Sequence, residues 1–221
     1  MEEELEKKEE NTSENSKKQS NQLKWVLGIM GVFVLLMLVF LFVGGGSQAF
    51  EYKGLNWNKE NFGDLPIYTT LVTGYSITGK PIDFKMPFRN DPRQLDIPVD
   101  GEVNYIYEKP VYVSLDFDSG INECGTLGLI NLGRFMAEMR LNVISSVTSQ
   151  NWSDELERPL ANCENLPENT VFILTQGSES KIEQDKGNPN CYRLIVSQCE
   201  DVEVLEKLEL ATLAKYTGYP I

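Results

Sequence analysis

The chain has 221 residues, 20 of them basic and 33 acidic, with no histidine and a formal charge of −13. The missing imidazole excludes a Ser-His-Asp triad, a Cys-His pair and any histidine-ligated metal site within the chain. So negative a surface repels phosphate backbones and anionic headgroups, so nucleic acid is not an expected partner.

Residues 1–24 carry seven acids and five lysines, leaving −11 of the charge for the remainder. They hold too little apolar surface to offset chain entropy and read as a disordered cytoplasmic tail. Trp25 to Val43 then runs nineteen residues without a charge, rich in Val, Leu, Phe and Met. A helix of that length covers about 28 Å, close to the hydrocarbon thickness of a bilayer, and no face of it is polar. The expectation is a single transmembrane helix, residues 25–43.

Lys17, Lys18 and Lys24 precede the run, whereas Glu51 and Lys53 offset each other beyond it. Lysines near a span stay on the cytoplasmic side, which puts residues 1–24 inside and 50–221 outside. A cleaved signal peptide is the rival reading, with Ser47-Gln48-Ala49 as the small-residue site. The apolar stretch is longer than a signal h-region, and the segment before it is long and acidic, which favours a retained signal-anchor. Both readings export residues 50–221. Residues 44–49, opening on Gly44-Gly45-Gly46-Ser47, read as a flexible neck.

Residues 50–109 suggest a small antiparallel β subdomain. Phe50–Trp57, Ile67–Thr73 and Ile82–Phe88 are rich in β-branched and aromatic residues, with Gly63-Asp64, Gly74 and Gly79-Lys80-Pro81 between them. Pro66, Pro81, Pro87, Pro92 and Pro98 argue against a long central strand.

Residues 110–221 read as an α/β domain. Val111–Phe117 is an apolar strand; Thr126 caps a helix through Met139, and Leu141–Val147 is a second strand, together a βαβ unit. Thr170–Thr175 and Tyr192–Ser197 are further strands, with Ser180–Gln184 an intervening strand or short crossover. Asp201 caps a last helix whose apolar face comprises Val204, Leu205, Leu208, Ala211 and Leu213, with Gly218 and Pro220 at its end. The fold class is therefore α/β: an N-terminal transmembrane helix, a small antiparallel β subdomain, and a mostly parallel sheet with flanking helices.

Cys124, Cys163, Cys191 and Cys199 all follow the apolar run, an even number that suits two disulfides in an oxidising compartment. A four-thiolate zinc site is the alternative, but tight C-x₂₋₄-C spacing is lacking. Cys191 and Cys199 flank one strand, about 26 Å apart if extended, too far to bridge. If that strand is parallel to the first, Cys124 pairs with Cys199 and Cys163 with Cys191. If it is antiparallel, Cys124 pairs with Cys191 and Cys163 with Cys199. The parallel case is the one expected. Asn151-Trp152-Ser153 is a glycosylation sequon in the exported part, and Asn11-Thr12-Ser13 a second that should stay bare inside.

Two clusters carry possible chemistry. Leu115-Asp116-Phe117-Asp118-Ser119-Gly120 stands at the carboxyl end of the first α/β strand, where open sheets bind ligands. In an extended segment both carboxylates could face one magnesium or calcium ion. The D-x-D after an apolar strand resembles the first motif of haloacid-dehalogenase-type phosphatases, which implies Asp116 as nucleophile and Asp118 as acid/base. Ser119-Gly120 departs from that motif, and two turn-forming aspartates are the plainer reading. Arg89-Asn90-Asp91-Pro92-Arg93 places two arginines on a tight loop, suited to gripping a carboxylate or phosphate or to pairing internally. Trp57 and Trp152 read as core or lid aromatics.

The span, the Arg89–Arg93 loop, and Asn190-Cys191-Tyr192 with Cys199 together resemble uncharacterised single-pass membrane proteins of small-genome archaea, a resemblance that implies no activity. The reading is a membrane-anchored extracytoplasmic binding or cell-envelope protein. Its expected partners are the membrane and another envelope protein or a small ligand. No cofactor, metal ligand set or catalytic residue is assigned. The alternative is a metal-dependent, phosphatase-like hydrolase using Asp116 and Asp118.

Overall fold

The computed structural model describes residues 24–39, 48–75, 80–106, 108–121 and 126–219. Residues 1–23 of the expected tail, residues 40–43 of the expected span, neck residues 44–47, Gly79, Cys124 and Pro220 lie outside the described residues. The chain divides into two compact units, Met1–Ser47 and Gln48–Ile221.

In the first unit a helix, α1, covers residues 24–39, about 24 Å at 1.5 Å per residue. Its apolar side chains from Trp25 to Val39 are all exposed, so the helix presents apolar surface on every side. Among the described residues no helix is long and apolar enough to cross a membrane.

The second unit opens with an antiparallel sheet of four strands in sequence order: β1 (Gln48–Tyr52), β2 (Leu55–Phe62), β3 (Leu65–Tyr75) and β4 (Pro81–Phe88). The segment expected as one strand, Phe50–Trp57, is a hairpin, with Tyr52 paired to Leu55. The two residues between them, Lys53 and Gly54, both have positive φ, which closes a tight two-residue turn. A side chain at position 54 would collide with the Tyr219 ring, 2.5 Å from its Cβ. Thr217 Oγ1 also donates to the Lys53 carbonyl at 2.9 Å, so the turn is seated on the chain's last helix. The inner strand β3 runs eleven residues, longer than the prolines suggest. They are accommodated because Pro66 is near its start while Pro81 and Pro87 lie on the edge strand β4.

Six more strands form the second sheet: β5 (Val99–Asp100), β6 (Val111–Leu115), β7 (Val143–Val147), β8 (Val171–Gln176), β9 (Lys181–Gln184) and β10 (Cys191–Val196). Their order is β5-β9-β10-β8-β6-β7. β6, β7, β8 and β10 are mutually parallel, with β9 antiparallel to β10 and β5 parallel to β9. Ser180–Gln184 therefore contains a strand, and the parallel placement of β10 is the expected one. The helices are α2 (Thr126–Glu138), α3 (Gln150–Leu156) and α4 (Asp201–Tyr216). β6, α2 and β7 form the expected βαβ unit.

One face of this sheet packs Val111, Val113, Phe172, Leu174, Tyr192 and Leu194 into a core shared with α2, α4, and Trp57 and Phe88 of the first sheet. α4 is buried on nearly every side, including Glu206 and Glu209, because loop 89–105 covers the flank away from the six-stranded sheet. Asp201 was expected to cap its own helix. Glu200 holds that position, and Asp201 Oδ2 instead accepts the backbone N–H of Gly128 in the first turn of α2, at 3.4 Å. A carboxylate there complements the positive end of α2. A side chain at Gly128 would come within 2.7 Å of Leu205, which fixes the close approach of the two helices.

The opposite face buries Val171, Ile173 and Cys191 under a strap, residues 157–170, with Cys163 and Leu166 packed on them. The strap starts beside β7, where Val147 donates to the Pro159 carbonyl and accepts from Ala161 N–H. Further along it crosses the sheet, where Cys163 is disulfide-bonded to Cys191 with Cα atoms 5.4 Å apart. Asn188 Nδ2 donates to the Cys163 carbonyl at 3.0 Å, which fixes the same point from β10's approach. Cys199 is also disulfide-bonded, and no described cysteine is free.

Candidate functional site

The chain leaves β6 through α2 toward β7, and leaves β8 through β9 toward β10, on the other side. The carboxyl ends of the adjacent strands β6 and β8 therefore mark a topological switch point, where diverging connections open a crevice. Asp116 sits there, immediately after β6. Its Oδ1 accepts from Thr148 Oγ1 at 3.1 Å and its Oδ2 from Thr175 Oγ1 at 2.8 Å, tying it to the ends of both neighbouring strands. Its backbone N–H continues the ladder to Leu174 at 3.0 Å.

The floor of the crevice is Ile173, Thr175 and Arg193 of the sheet, and its roof is Asn162, Cys163 and Glu164 of the strap. The space enclosed is about 250 Å³. Asn162 Nδ2 also reaches the Thr148 carbonyl at 3.4 Å, so roof and floor meet beside Asp116. Arg193 lies 3.6 Å from Asp185 and keeps half its side chain exposed. The crevice thus presents two carboxylates, a guanidinium, two hydroxyls and an amide. That set suits a small, polar, hydrogen-bonding ligand and gives an apolar one no reason to enter.

The two aspartates of the D-x-D are held by different partners at a turn, the plainer of the two readings, and not side by side on an extended segment. The strand ends at Leu115, and Phe117–Ser119 is a 3₁₀ turn, so the period-two alternation stops before Asp118. Asp118 Oδ1 accepts from Trp152 Nε1 at 2.9 Å, and the Trp152 ring packs against Phe117 at 4.9 Å, tilted by 42°. Ser119 and Gly120, which break the phosphatase-like motif, shape this turn. Ser119 Oγ donates to the Asp116 carbonyl at 2.6 Å and accepts the Gln176 N–H at 2.9 Å, and Gly120 has a φ of +86°. Among the described residues no group of three or more acids or cysteines could hold a metal ion.

The Arg89–Arg93 loop is internally engaged. Arg93 forks onto Asp91, with Nε at 2.9 Å and Nη2 at 2.6 Å, and lies 3.9 Å from the Phe50 ring. The guanidinium holds the Asp91 carboxyl below its ordinary range. Asn151 is exposed on α3, with Ser153 bonded to the Arg158 carbonyl at 2.6 Å. No protein-family model, no curated protein and no solved structure matches this chain.

Sequence reasoning missed the carboxylates on α4. Glu206 accepts the backbone N–H of Arg89 and both the N–H and Nδ2 of Asn90, at 3.1 and 3.0 Å, and so pins that loop to the helix. Those donors favour its charged form, but desolvation outweighs them and raises its pKa to about 7. Glu209 is raised well above its usual value by burial, with Glu206 and Glu138 repelling its charge.

Between its ordinary value of 4.5 and about 7, the folded chain holds a Glu206 proton that the unfolded chain has lost. Stability from this group is therefore full below 4.5, falls as pH rises through 7, and then levels off. Across that window the loss amounts to about 3 kcal/mol, at roughly 1.4 kcal/mol for each pH step of one. Glu209 acts in the same direction. No histidine obscures that window. Urea titrations at pH 5 and pH 8 should give the higher midpoint at pH 5, and Glu206→Gln should flatten the difference. An undiminished difference in Glu206→Gln would assign the slope elsewhere.

Proposed function

We propose that this protein is a single-pass, membrane-anchored, extracytoplasmic binding module, its N-terminus cytoplasmic and its α/β domain outside. The observation that carries the reading is the Cys163–Cys191 bridge in a domain that follows the apolar helix. A structural disulfide persists where the environment is oxidising, which supports export of residues 48–221. Cys199 is bonded as well, which supports a second bridge; Cys124 is the partner proposed for it, the pairing expected of a parallel β10. The outward apolar side chains of α1, continuing in sequence to Val43, support a span rather than a soluble helix. Asn151, exposed in the exported part, is the position a glycosylating host would modify.

The binding reading rests on the crevice at Asp116, Thr148 and Thr175, which has the place and polarity of a small-ligand site. The metal-dependent hydrolase reading loses its geometric support, since Asp116 and Asp118 are held on separate partners.

Membrane extraction tests the anchor. After an alkaline carbonate wash the full chain should remain in the membrane pellet, and a chain lacking residues 25–43 should be released. Release of the full chain by the same wash would refute the anchored reading.

A further inference from the structure

The hairpin that joins β2 to β3 exposes an apolar tip. Phe62 and Leu65 pair across the two-residue turn Gly63-Asp64 and are 76 % and 61 % exposed. Pro66, the next residue, is exposed as well. Exposed aromatic and aliphatic side chains on a short turn bury nothing within the domain, so folding does not account for them.

The register shows which end of the sheet the tip occupies. β1 is antiparallel to β2 and begins at Gln48, paired with Lys59. Followed backward, the chain therefore leaves the sheet in the direction in which β2 runs on to Phe62. The tip lies three residues beyond Lys59, about 10 Å further that way at 3.4 Å per residue. Five Cα steps separate Gln48 from Val43, the last residue of the proposed span. Even fully extended they cover no more than about 18 Å. The apolar tip is thus at the end of the sheet by which the chain enters the domain from the apolar run.

We propose that Phe62 and Leu65 insert into the interfacial zone of the same membrane that holds the anchor, as a second attachment point for the exported domain. This rests on the anchored reading above. Lys59 and the Glu60–Lys85 pair, with Nζ–Oε2 at 2.7 Å, lie just behind the tip and Asp64 is in its turn, so two bases face two acids. That balance suits a zwitterionic surface. Two amphipathic contacts of this kind would orient a domain that a single tether leaves free to rotate.

The test places tryptophan at single positions of the full chain, Phe62→Trp and Leu65→Trp, in phosphatidylcholine vesicles with or without brominated acyl chains. Leu71→Trp, on the same sheet face but about 20 Å from Leu65 along β3, is the control. The expected result is a blue-shifted emission and bromine quenching beyond the wild-type level at positions 62 and 65, with no added quenching at 71. Carbonate-resistant attachment to the vesicles without added quenching at 62 and 65 would overturn the tip insertion and leave the anchor standing. Equal quenching at all three positions would overturn it in favour of the whole sheet face lying on the lipid. A chain that fails to stay with the vesicles would overturn both readings.

Discussion

Trp57→Ala should lower the unfolding free energy by about 3–5 kcal/mol, the range for emptying a buried aromatic site. Trp57 is fully buried and joins the two sheets' shared core. Its ring stacks 6.5 Å from Phe50 and meets Phe88 edge-on at 4.9 Å. Its Nε1 donates to the Tyr52 carbonyl at 3.2 Å, across the Lys53-Gly54 turn, so the same side chain holds the hairpin closed. Trp57→Phe keeps most of the packing and loses that bond, a cost of roughly 1 kcal/mol. Urea unfolding of the three proteins should order them wild type, Trp57→Phe, Trp57→Ala. A Trp57→Ala protein within about 1 kcal/mol of wild type would mean the first sheet is not part of the cooperative core.

The second large effect is on the strap. The Cys163–Cys191 bridge closes a separation of 28 residues, for which chain entropy gives about 3.5 kcal/mol. Replacing both cysteines by serine should lower stability by about that amount and expose residues 157–170 to proteolysis before the sheet itself unfolds. Single replacement is the poorer experiment, because the remaining thiol can exchange with the other bridge. The bonds from Val147 and Asn188 to the strap survive in the double variant, so the carboxyl edge near Asn162 should loosen without dissolving. If stability and the cleavage pattern are unchanged, hydrogen bonds alone secure the roof of the crevice.

Much of the α/β half is legible in the chain, because its signals are local and agree with one another. The strand, helix and strand over 111–147 follow from apolar periodicity, and strand length alone rules out bonding Cys191 to Cys199. What stayed hidden depends on neighbours distant in sequence. Lys53-Gly54 closes a hairpin that an Asn-Gly pair would have announced, and its reason is the Tyr219 ring. Asp201 has the composition of a cap but serves α2, a helix 73 residues earlier. Nothing local in the sequence says that loop 89–105 covers α4 and buries Glu206 and Glu209.

The site divides in the same way. Asp116 at a strand's carboxyl end could be found from sequence, and so could the turn that follows it through Ser119-Gly120. Thr148 and Thr175, its partners, are polar residues closing apolar strands, a signal shared with many structural threonines. Only the order of strands brings the three together, and strand order is set by the crossover connections rather than by any single segment.

The protein proposed here is an exported, disulfide-bonded domain on a membrane anchor. Non-reducing peptide mass spectrometry of protein taken from native membranes tests it most directly. Two bridges are expected, Cys163–Cys191 and Cys124–Cys199, with no free thiol. Four free thiols would place residues 48–221 on the reducing side of the membrane and contradict both the export and the orientation proposed.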